Sequence, residues 1–394
     1  MIGNLWKLPG PKGYIADIAA NVARGRHVVA VLPEYLCAEN VTAELADELV
    51  EVMDDAAHLG VGADRSLVDQ ACADISDDFD VHPVSVRELL AWGNPRARTF
   101  VLDASDLSGR RRPELQQFLE RLAHDSRVTA DGSIRLVIIA QARDLPPALN
   151  PDGDVTVVTR WFWNRVARWD TVAHVALVEG GLDVDTLADE IRVETIVELA
   201  RWDLPYATNV AERWARDGAL PSGSGRRAEL CAAASIDGVT PAKVGAWPPP
   251  RLVDAWNVGA IDGWRGRVCI APTAEDDADR TMERHVWAAQ ARVLLPFIET
   301  KRIRLEMHLR EELGAARFDR EVASGMPVYR DPNYIQASVP EIALLREIAR
   351  VARRDERRAT SLDLLRDARN RLSHLVPLTH DEVVAIERAC LWLG

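Results

Sequence analysis

The sequence predicts an α/β plus all-α protein, in which a doubly wound, mostly parallel sheet comes first and a helical bundle comes last. Short apolar runs rich in β-branched residues alternate with helical patterns in the first 180 residues, which favours parallel βαβ units. Beyond residue 271, apolar residues recur at three- and four-residue spacing. We therefore expect an α/β domain over 1–180, a helical, lid-like region with linkers over 181–270, and a helical bundle over 271–394.

The α/β domain is expected to contain four strands and three main helices. Residues 60–82, which are rich in Asp and Gly, predict an insertion that contains loops. The predicted helices are Tyr14–Ala23, Val41–Met53 and Pro113–His124. The predicted strands are Val28–Pro33, a run ending at Asp103, Ile134–Gln141 and Val155–Trp161.

The middle of the chain predicts short helices and joints. Leu182 to Arg216 has a helical pattern that breaks near Pro205. PSGSGRR, at 221–227, predicts a flexible joint, and AWPPPR, at 246–251, predicts a stiff one. The paired glycines of IDGWRGRVCIAP indicate a turn between two extended segments.

Four helices are expected in the C-terminal bundle. The first runs from about 279 to 317 with a kink at Pro296, and the others cover 340–354, 360–374 and 381–393. The inward positions expected on the first helix are Trp287, Val293, Leu294, Ile298, Ile303 and Met307.

Charge is unevenly distributed along the chain. The formal net charge is −13, which argues against a protein that coats nucleic acid with its whole surface. From residue 271 onward there are 20 Lys and Arg against 21 Asp and Glu, so nearly all the acidic excess precedes the bundle. The acidic N-terminal half suits a protein partner. Two basic clusters, 301–304 and 350–358, could meet phosphates, although a solvated, charged helix face is the favoured explanation of each cluster alone.

The sequence indicates a cytoplasmic protein without a membrane segment. MIGNLWKLPG lacks the features of a signal peptide, and no apolar run approaches the length of a transmembrane helix. The five cysteines are far apart and form no CxxC pair, so neither a disulfide framework nor a zinc site is indicated. We expect no cofactor and no metal.

The segment TSLDLLRDARNRLSH, at 360–374, predicts an amphipathic helix whose far end is rich in polar groups. An apolar stripe is expected along it, made by Leu362, Leu365, Ala368 and Leu372. Arg369, Asn370 and His374 fall off that stripe, and the four-residue step places Asn370 almost beneath His374. An Arg, a carboxamide and an imidazole should therefore crowd one helix end.

RNRLSH resembles the motif of the HEPN superfamily, in which Arg is followed after four to six residues by His, with a polar residue directly after the Arg. DARNRLSHLVPLTHDEV is also similar to the corresponding segment of abortive-infection and Swt1-type HEPN proteins. The resemblance implies a helical bundle that dimerises and, in catalytic members, a metal-independent endoribonuclease. It covers about the last 120 residues.

Roles for the three residues follow from that resemblance. His374 would act as acid or base, and Arg369 would stabilise the phosphate. Asn370 would orient the imidazole or the phosphate. One motif supplies half of the groups that cleavage needs, so a homodimer through the C-terminal bundle would complete the site. Asp367 and Arg371 are expected to form a surface ion pair. The alternative is that Arg369 and His374 only cap carbonyls and pair with acids.

The α/β layout resembles a P-loop NTPase core of the STAND or AAA kind, with FVLDASD in the place of a Walker B strand. The residues that bind phosphate are missing, because PEYLCAENVT after the first strand contains neither glycine nor lysine. Asp103 could hold a cation, but capping or a loop role is the more common use of such a residue. We therefore expect a degenerate domain that does not hydrolyse nucleotide and serves as a scaffold or sensor.

An aromatic cluster follows the last strand of the sheet. Trp161, Phe162, Trp163 and Trp169 alternate with arginines and could form a base-stacking platform. A buried seam between sheet and helices is favoured, because tryptophans are largely buried on average, and His174 should be a satisfied packing residue.

Two functions of different class are therefore carried forward. The first is a HEPN-type endoribonuclease of a toxin or phage-defence system, which would take RNA as substrate and be regulated by an inactive NTPase-like domain. The second is a non-catalytic interaction or scaffold protein of a defence or regulatory complex.

Overall fold

A computed structural model of the 394-residue chain provides the coordinates. It describes residues 4–37, 40–60, 66–75, 85–91, 97–105, 107, 111–126, 134–147, 149, 156–181, 185–217, 230, 236, 239, 242–275, 278–325, 342–353 and 356–393. The predicted joint at 221–227 and about half of the predicted insertion, 61–65 and 76–82, lie outside these ranges.

The first part of the chain contains a parallel sheet, as predicted. Its five strands stand in the order β2-β3-β4-β1-β5, and every neighbouring pair is parallel. The interior strand β1, between β4 and β5, is completely buried because Val, Ala and Leu side chains fill both of its faces. The strands are β1 (His27–Leu32), β2 (Ala56–Leu59), β3 (Thr99–Asp103), β4 (Arg135–Gln141) and β5 (Val157–Trp161).

The helices are, in chain order, α1 (Pro9–Ala23), α2 (Glu34–Cys37), α3 (Val41–Val52), α4 (Leu67–Ile75), α5 (Val86–Leu90), α6 (Arg111–Asp125), α7 (Arg168–Val178), α8 (Leu187–Ala200), α9 (Leu204–Asp217), α10 (Val253–Asn257), α11 (Ala278–Leu313), α12 (Ala315–Gly325), α13 (Ile342–Arg353), α14 (Glu356–Ser373) and α15 (His380–Cys390). The α/β plus all-α class is therefore confirmed.

The sheet is doubly wound. The connection from β1 to β2 runs in one direction across the sheet, whereas those from β2 to β3 and from β3 to β4 run in the other. Right-handed crossovers then place α3 on one face and α4 to α6 on the opposite face. Contacts agree, because α1 touches α3 and α7, while α4 and α5 touch α6.

Two details of this region differ from the sequence prediction. The edge strand β2 was missed, because AAHL is short and only Leu59 in it is buried. Trp169 is 70% exposed and not part of the aromatic seam, since it begins α7 on the solvent side with the guanidinium of Arg168 over its ring. His174 is buried and satisfied as expected, with Nε2 2.8 Å from the hydroxyl of Thr208.

The remainder of the α/β region contains α9, α10 and an antiparallel hairpin. Its strands are β6 (Ile261–Trp264) and β7 (Arg267–Ile270), and Arg265 and Gly266 form the turn with positive φ angles. The predicted turn between two extended segments is therefore confirmed.

The C-terminal helices form a bundle around one apolar core. Leu294, Leu305 and Leu309 of α11 are fully buried in it, together with Leu345 of α13 and Leu365 of α14. Helix α8, which lies far earlier in the sequence, contributes Leu187 and Ile191 to the same core.

The long helix α11 continues through Pro296. Val293, Leu294 and Ile298 are buried, as predicted. Ile303 and Met307 are exposed instead, because the buried line after the proline passes through Arg302, Leu305 and Leu309. The prediction for these two residues was wrong because Leu305 and Leu309, which it left out, occupy the inward positions of this part of the helix.

The chain divides into two compact units. The α/β unit comprises 1–178 and 200–276, and the helical unit comprises 179–199 and 277–394. In this division the predicted region 181–270 is shared, since α8 joins the helical unit while α9 and the hairpin join the α/β unit. The segment 246–251, predicted as a stiff joint, lies inside the α/β unit. None of the described helices has the length and apolar character that crossing a membrane requires.

Candidate functional site

Helix α14 presents its predicted apolar stripe to the core of the helical unit. Leu362, Leu365, Ala368 and Leu372 are all buried, and they pack against residues of α11, α13 and α15. This burial fixes the rotation of the helix. The polar residues of its last two turns must therefore face away from the core.

Arg369, Asn370 and His374 are all exposed at that helix end. The backbone N–H of His374 donates to the carbonyl of Asn370 at 3.1 Å, so the two residues stand one helical turn apart, about 5.4 Å along the axis. The three side-chain types therefore share one solvent-facing helix end. Arg369 is also close to an acidic group on α11.

That acidic group is Glu299, whose pKa is lowered mainly by its hydrogen bond to Arg302 and further by the charge of Arg369. Arg302 Nη2 lies 2.7 Å from Glu299 Oε1, and its Nη1 lies 2.9 Å from Glu306 Oε2. Because Arg302 is buried and bound to two carboxylates, it is not available to phosphate. The basic cluster at 301–304 therefore offers one cation fewer to a phosphate.

The basic cluster at 350–358 is described only in part. Arg350 pairs with Glu347 at 3.3 Å, and the side chains at 353–358 lie outside the described ones.

The turn after His374 stops the helix in a defined way. The N–H of Val376 donates to the carbonyl of Arg371 at 3.0 Å, and the N–H of Leu375 donates to that of Leu372 at 3.2 Å. This is the Schellman arrangement, and it places Leu375 at a φ of +60°, where glycine is usual. Leu375 is 64% exposed, and Val376 beside it is also exposed. An apolar surface patch thus adjoins the polar helix end.

Arg371 fastens this turn to the following helix. Its guanidinium pairs with Glu382 of α15 and donates to the carbonyl of Pro377 at 2.5 Å. The predicted pair between Asp367 and Arg371 was wrong, because Asp367 instead lies 2.9 Å from Arg366. The sequence spacing alone could not reveal the partner on the next helix.

Helix α11 supports the same turn from the other side. Trp287 Nε1 donates to the carbonyl of Leu372 at 2.7 Å, and Gln290 binds the backbone of Leu378 through both of its amide atoms. Sequence reasoning missed these residues, since nothing in the local pattern of α11 indicates a partner about 88 residues later. Through these bonds they position the backbone on either side of His374.

The second candidate location is the carboxyl edge of the parallel sheet, where ligands of doubly wound folds bind. After β1, Glu34 pairs with Arg143, which follows β4, at 2.9 Å. After β3, Asp103 Oδ1 accepts from the backbone N–H of Ser105 at 3.0 Å and from its hydroxyl at 2.7 Å. The Ser105 hydroxyl is also 3.0 Å from that of Thr42. Asp103 thus stabilises a local turn, which is a more common role for such a residue than holding a cation.

A thiol lies at the same edge. Cys37 donates to the carbonyl of Pro33 at 3.4 Å, and burial raises the pKa of this thiol to about 12. The amide of Gln141, at the end of β4, donates to the carbonyl of Ser105 at 3.1 Å. A thiol that stays protonated is a poor nucleophile. The described residues of this edge therefore form a network of internal hydrogen bonds and include no activated thiol.

Chemically, the helix end of α14 offers an imidazole that can transfer protons and a guanidinium that can bind phosphate oxygens. Within the ranges described, no group of three or more His, Cys, Asp or Glu side chains is arranged to hold a metal ion. Neither a family model nor a curated protein matches the chain.

Proposed function

We propose that the protein is a metal-independent endoribonuclease of HEPN type, with Arg369, Asn370 and His374 as its catalytic residues. The observation that carries the proposal is their common exposure at the end of α14, beside a buried apolar stripe. A residue kept for packing would lie on the stripe. Exposed Arg, Asn and His at one helix end are instead accessible to an RNA strand.

The chemistry requires three actions on RNA. A base removes the proton of the 2′-hydroxyl, a cation stabilises the charge on the phosphate oxygens, and an acid protonates the 5′-oxygen that leaves. His374 would perform one of the two proton transfers, and Arg369 would bind the phosphate through its planar fork of N–H donors. Asn370, one turn below His374, would orient the imidazole or the phosphate.

A symmetric homodimer through the helical unit would supply the second imidazole. One chain offers one motif, whereas the reaction needs both an acid and a base. Two copies that face each other across a groove would present two imidazoles and two guanidinium groups to one phosphodiester.

We further propose that the α/β unit is a degenerate, NTPase-like regulatory part, and that the protein acts in a cytoplasmic toxin or phage-defence system. The internal pairs of Glu34 with Arg143 and of Asp103 with Ser105 support an edge that does not process nucleotide. The acidic N-terminal half would bind a protein partner or restrain access of RNA to the helical unit.

A second candidate function is a non-catalytic interaction or scaffold protein. The exposed Leu375 and Val376, directly after His374, favour this candidate because adjacent exposed apolar side chains are typical of binding surfaces. Under this alternative, Arg369 and His374 would form the polar rim of a docking surface.

The two candidates are separated by incubating the purified full chain with total RNA in the presence of EDTA. Cleavage products in EDTA support the nuclease. Intact RNA at every protein concentration, from a protein that is folded and dimeric by light scattering, supports the interaction protein.

A further inference from the structure

A cavity of about 380 Å³ lies beside β5, the edge strand of the parallel sheet in the α/β unit. Its walls come from α1, from β5 and the residues after it, and from the segment around Trp247. It is distinct from both locations discussed above. Its size falls within the range of small-molecule sites in proteins.

Two arginines line this cavity and share one carboxylate. Arg160 Nε is 3.3 Å and Arg165 Nη2 is 3.0 Å from the same oxygen of Asp17. The charges of these three lining residues sum to +1. A ligand with negative charge would therefore neutralise the remaining positive charge of these three residues.

Several N–H donors of the two guanidinium groups are not used by these internal bonds. Arg160 uses Nε on Asp17, one N–H on the Thr159 carbonyl at 3.0 Å and one on Asn21 Oδ1 at 3.0 Å. Arg165 uses Nε on the Trp161 carbonyl at 3.4 Å and one N–H on Asp17. Since a guanidinium has five N–H groups, two remain on Arg160 and three on Arg165. Several unused donors on two cationic groups suit an acceptor with several oxygens, such as phosphate.

Aromatic side chains form another part of the wall. Trp161 and Trp163 are buried, and among the described residues neither indole Nε1 has a hydrogen-bond partner. Trp247 adds a third indole, which is only partly buried. Flat apolar ring surfaces along the wall suit a planar ring in the ligand.

The wall at Asn164 is held in place by the hairpin. The N–H of Asn164, whose φ is +57°, donates to Asp262 Oδ1 at 2.7 Å. A Cβ atom on Gly263 would lie 2.4 Å from the Cβ of Asn164, so only glycine allows this approach. A cavity wall fixed by a buried carboxyl group and an obligatory glycine is pre-formed, which lowers the cost of binding.

We infer that this cavity is a binding site for a small organic phosphate that carries a flat ring, of the size of a nucleoside monophosphate. The phosphate would accept from Arg160 and Arg165, and the ring would lie against the tryptophans. The site is independent of the proposed nuclease centre, and binding there needs no catalytic activity.

The test is calorimetric titration of the full chain with the four nucleoside 5′-monophosphates, and with adenosine and inorganic phosphate as partial ligands. At least one monophosphate should bind, and each partial ligand should bind at least tenfold more weakly. Arg165→Gln should weaken binding at least tenfold, whereas Arg98→Gln, at an exposed arginine outside the cavity, should leave it unchanged.

A second variant guards against a folding defect in Arg165→Gln, since Arg165 also stacks on Tyr14 at 5.2 Å. A Cβ atom on Gly245 would meet only the Trp247 carbonyl, at 3.7 Å, so Gly245→Leu should fill the cavity and leave the fold intact. This variant should lose binding by at least tenfold with an unchanged circular dichroism spectrum. If none of the four monophosphates binds, or if Gly245→Leu binds like the parent, the inference is overturned.

Discussion

Gln290 and Leu378 exchange two hydrogen bonds across the helical unit. The side-chain amide of Gln290 donates to the Leu378 carbonyl at 2.8 Å, and its oxygen accepts the Leu378 N–H at 2.7 Å. Both residues are buried, so water cannot replace either bond. A single side chain on α11 thereby fixes the backbone that leads from His374 into α15.

The first prediction concerns this pair. Gln290→Leu keeps a similar volume but leaves both polar groups of Leu378 unsatisfied, which should lower the free energy of unfolding by about 2–4 kcal/mol. Urea unfolding followed by circular dichroism measures the change. Gln117→Leu, on the exposed side of α6, is the control and should stay within about 0.5 kcal/mol of the parent. Equal stability of both variants would show that Gln290 does not hold the turn.

Much of the fold could be predicted from sequence because periodicity carries it. The strands β1, β3, β4 and β5 are apolar runs with β-branched residues, and the stripe of α14 follows helical spacing. Strand β2 lacked that signal, since only Leu59 in it is buried. The inclusion of α8 in the helical unit depends on packing between residues distant in sequence, which no local pattern contains.

The candidate site was predictable only in part, because some of its residues come together through contacts between distant parts of the sequence. Arg369, Asn370 and His374 are neighbours along one helix, so their shared exposure follows from the 3.6-residue period. Glu299, Trp287 and Gln290 reach the site from α11, and their role depends on tertiary contacts. The pairing of Arg371 with Glu382 and not Asp367 shows how tertiary structure overrides an i, i+4 pattern.

The second prediction is that the α/β unit does not hydrolyse nucleotide. Asp103 is engaged by Ser105, and Glu34 is paired with Arg143 where a phosphate-binding loop would lie. No steady release of phosphate from ATP or GTP should occur with magnesium. Asp103→Ala should instead lower stability by about 1–2 kcal/mol, because Ser105 loses two hydrogen bonds. Phosphate release by the parent that disappears in Asp103→Ala would contradict this prediction.

The third prediction concerns Asp262. Burial raises the pKa of this carboxyl to about 7, even though the N–H groups of Asn164 and Gly263 favour the charged form. Between about pH 4 and 7 the folded state holds a proton that the unfolded state has lost, so this residue makes stability fall as pH rises. The contribution of Asp262 to the decrease in the free energy of unfolding with pH approaches 1.4 kcal/mol per pH unit. In Asp262→Asn this contribution is removed, and stability measured by urea unfolding should rise more steeply with pH than in the parent. An unchanged slope would show that Asp262 is ionised in the folded protein.

The fourth prediction has the opposite sign and concerns His27. Burial lowers the pKa of this imidazole to about 3, and its Nδ1 accepts the N–H of Leu136 at 3.0 Å. Between about pH 3 and 6.5 the unfolded state binds a proton that the folded state does not, so this residue makes stability rise with pH. His27→Asn should therefore make the slope between pH 4 and 6.5 more negative, by up to about 1.4 kcal/mol per unit. A slope that becomes more positive would reverse the assignment.

The last prediction tests the proposed nuclease centre. His374→Ala should abolish RNA cleavage and change stability by no more than about 0.5 kcal/mol, because the imidazole is exposed and lies off the buried stripe. Arg369→Lys should also fail, since lysine keeps the charge but loses the planar fork that holds a phosphate. Cleavage by the parent should persist in EDTA, leave 2′,3′-cyclic phosphate ends and spare DNA, because the attacking oxygen is the 2′-hydroxyl of the RNA.

Two matched variants make the result specific to the helix end. His308→Ala removes another exposed imidazole of the helical unit, and Arg366→Lys alters an arginine one turn before Arg369 on α14. Both should cleave RNA like the parent. If His374→Ala and His308→Ala lose activity equally, cleavage does not depend on the motif. If the parent leaves RNA intact and His374→Ala unfolds at a much lower temperature, the imidazole is structural, and the apolar patch at Leu375 and Val376 becomes the surface to test for a partner.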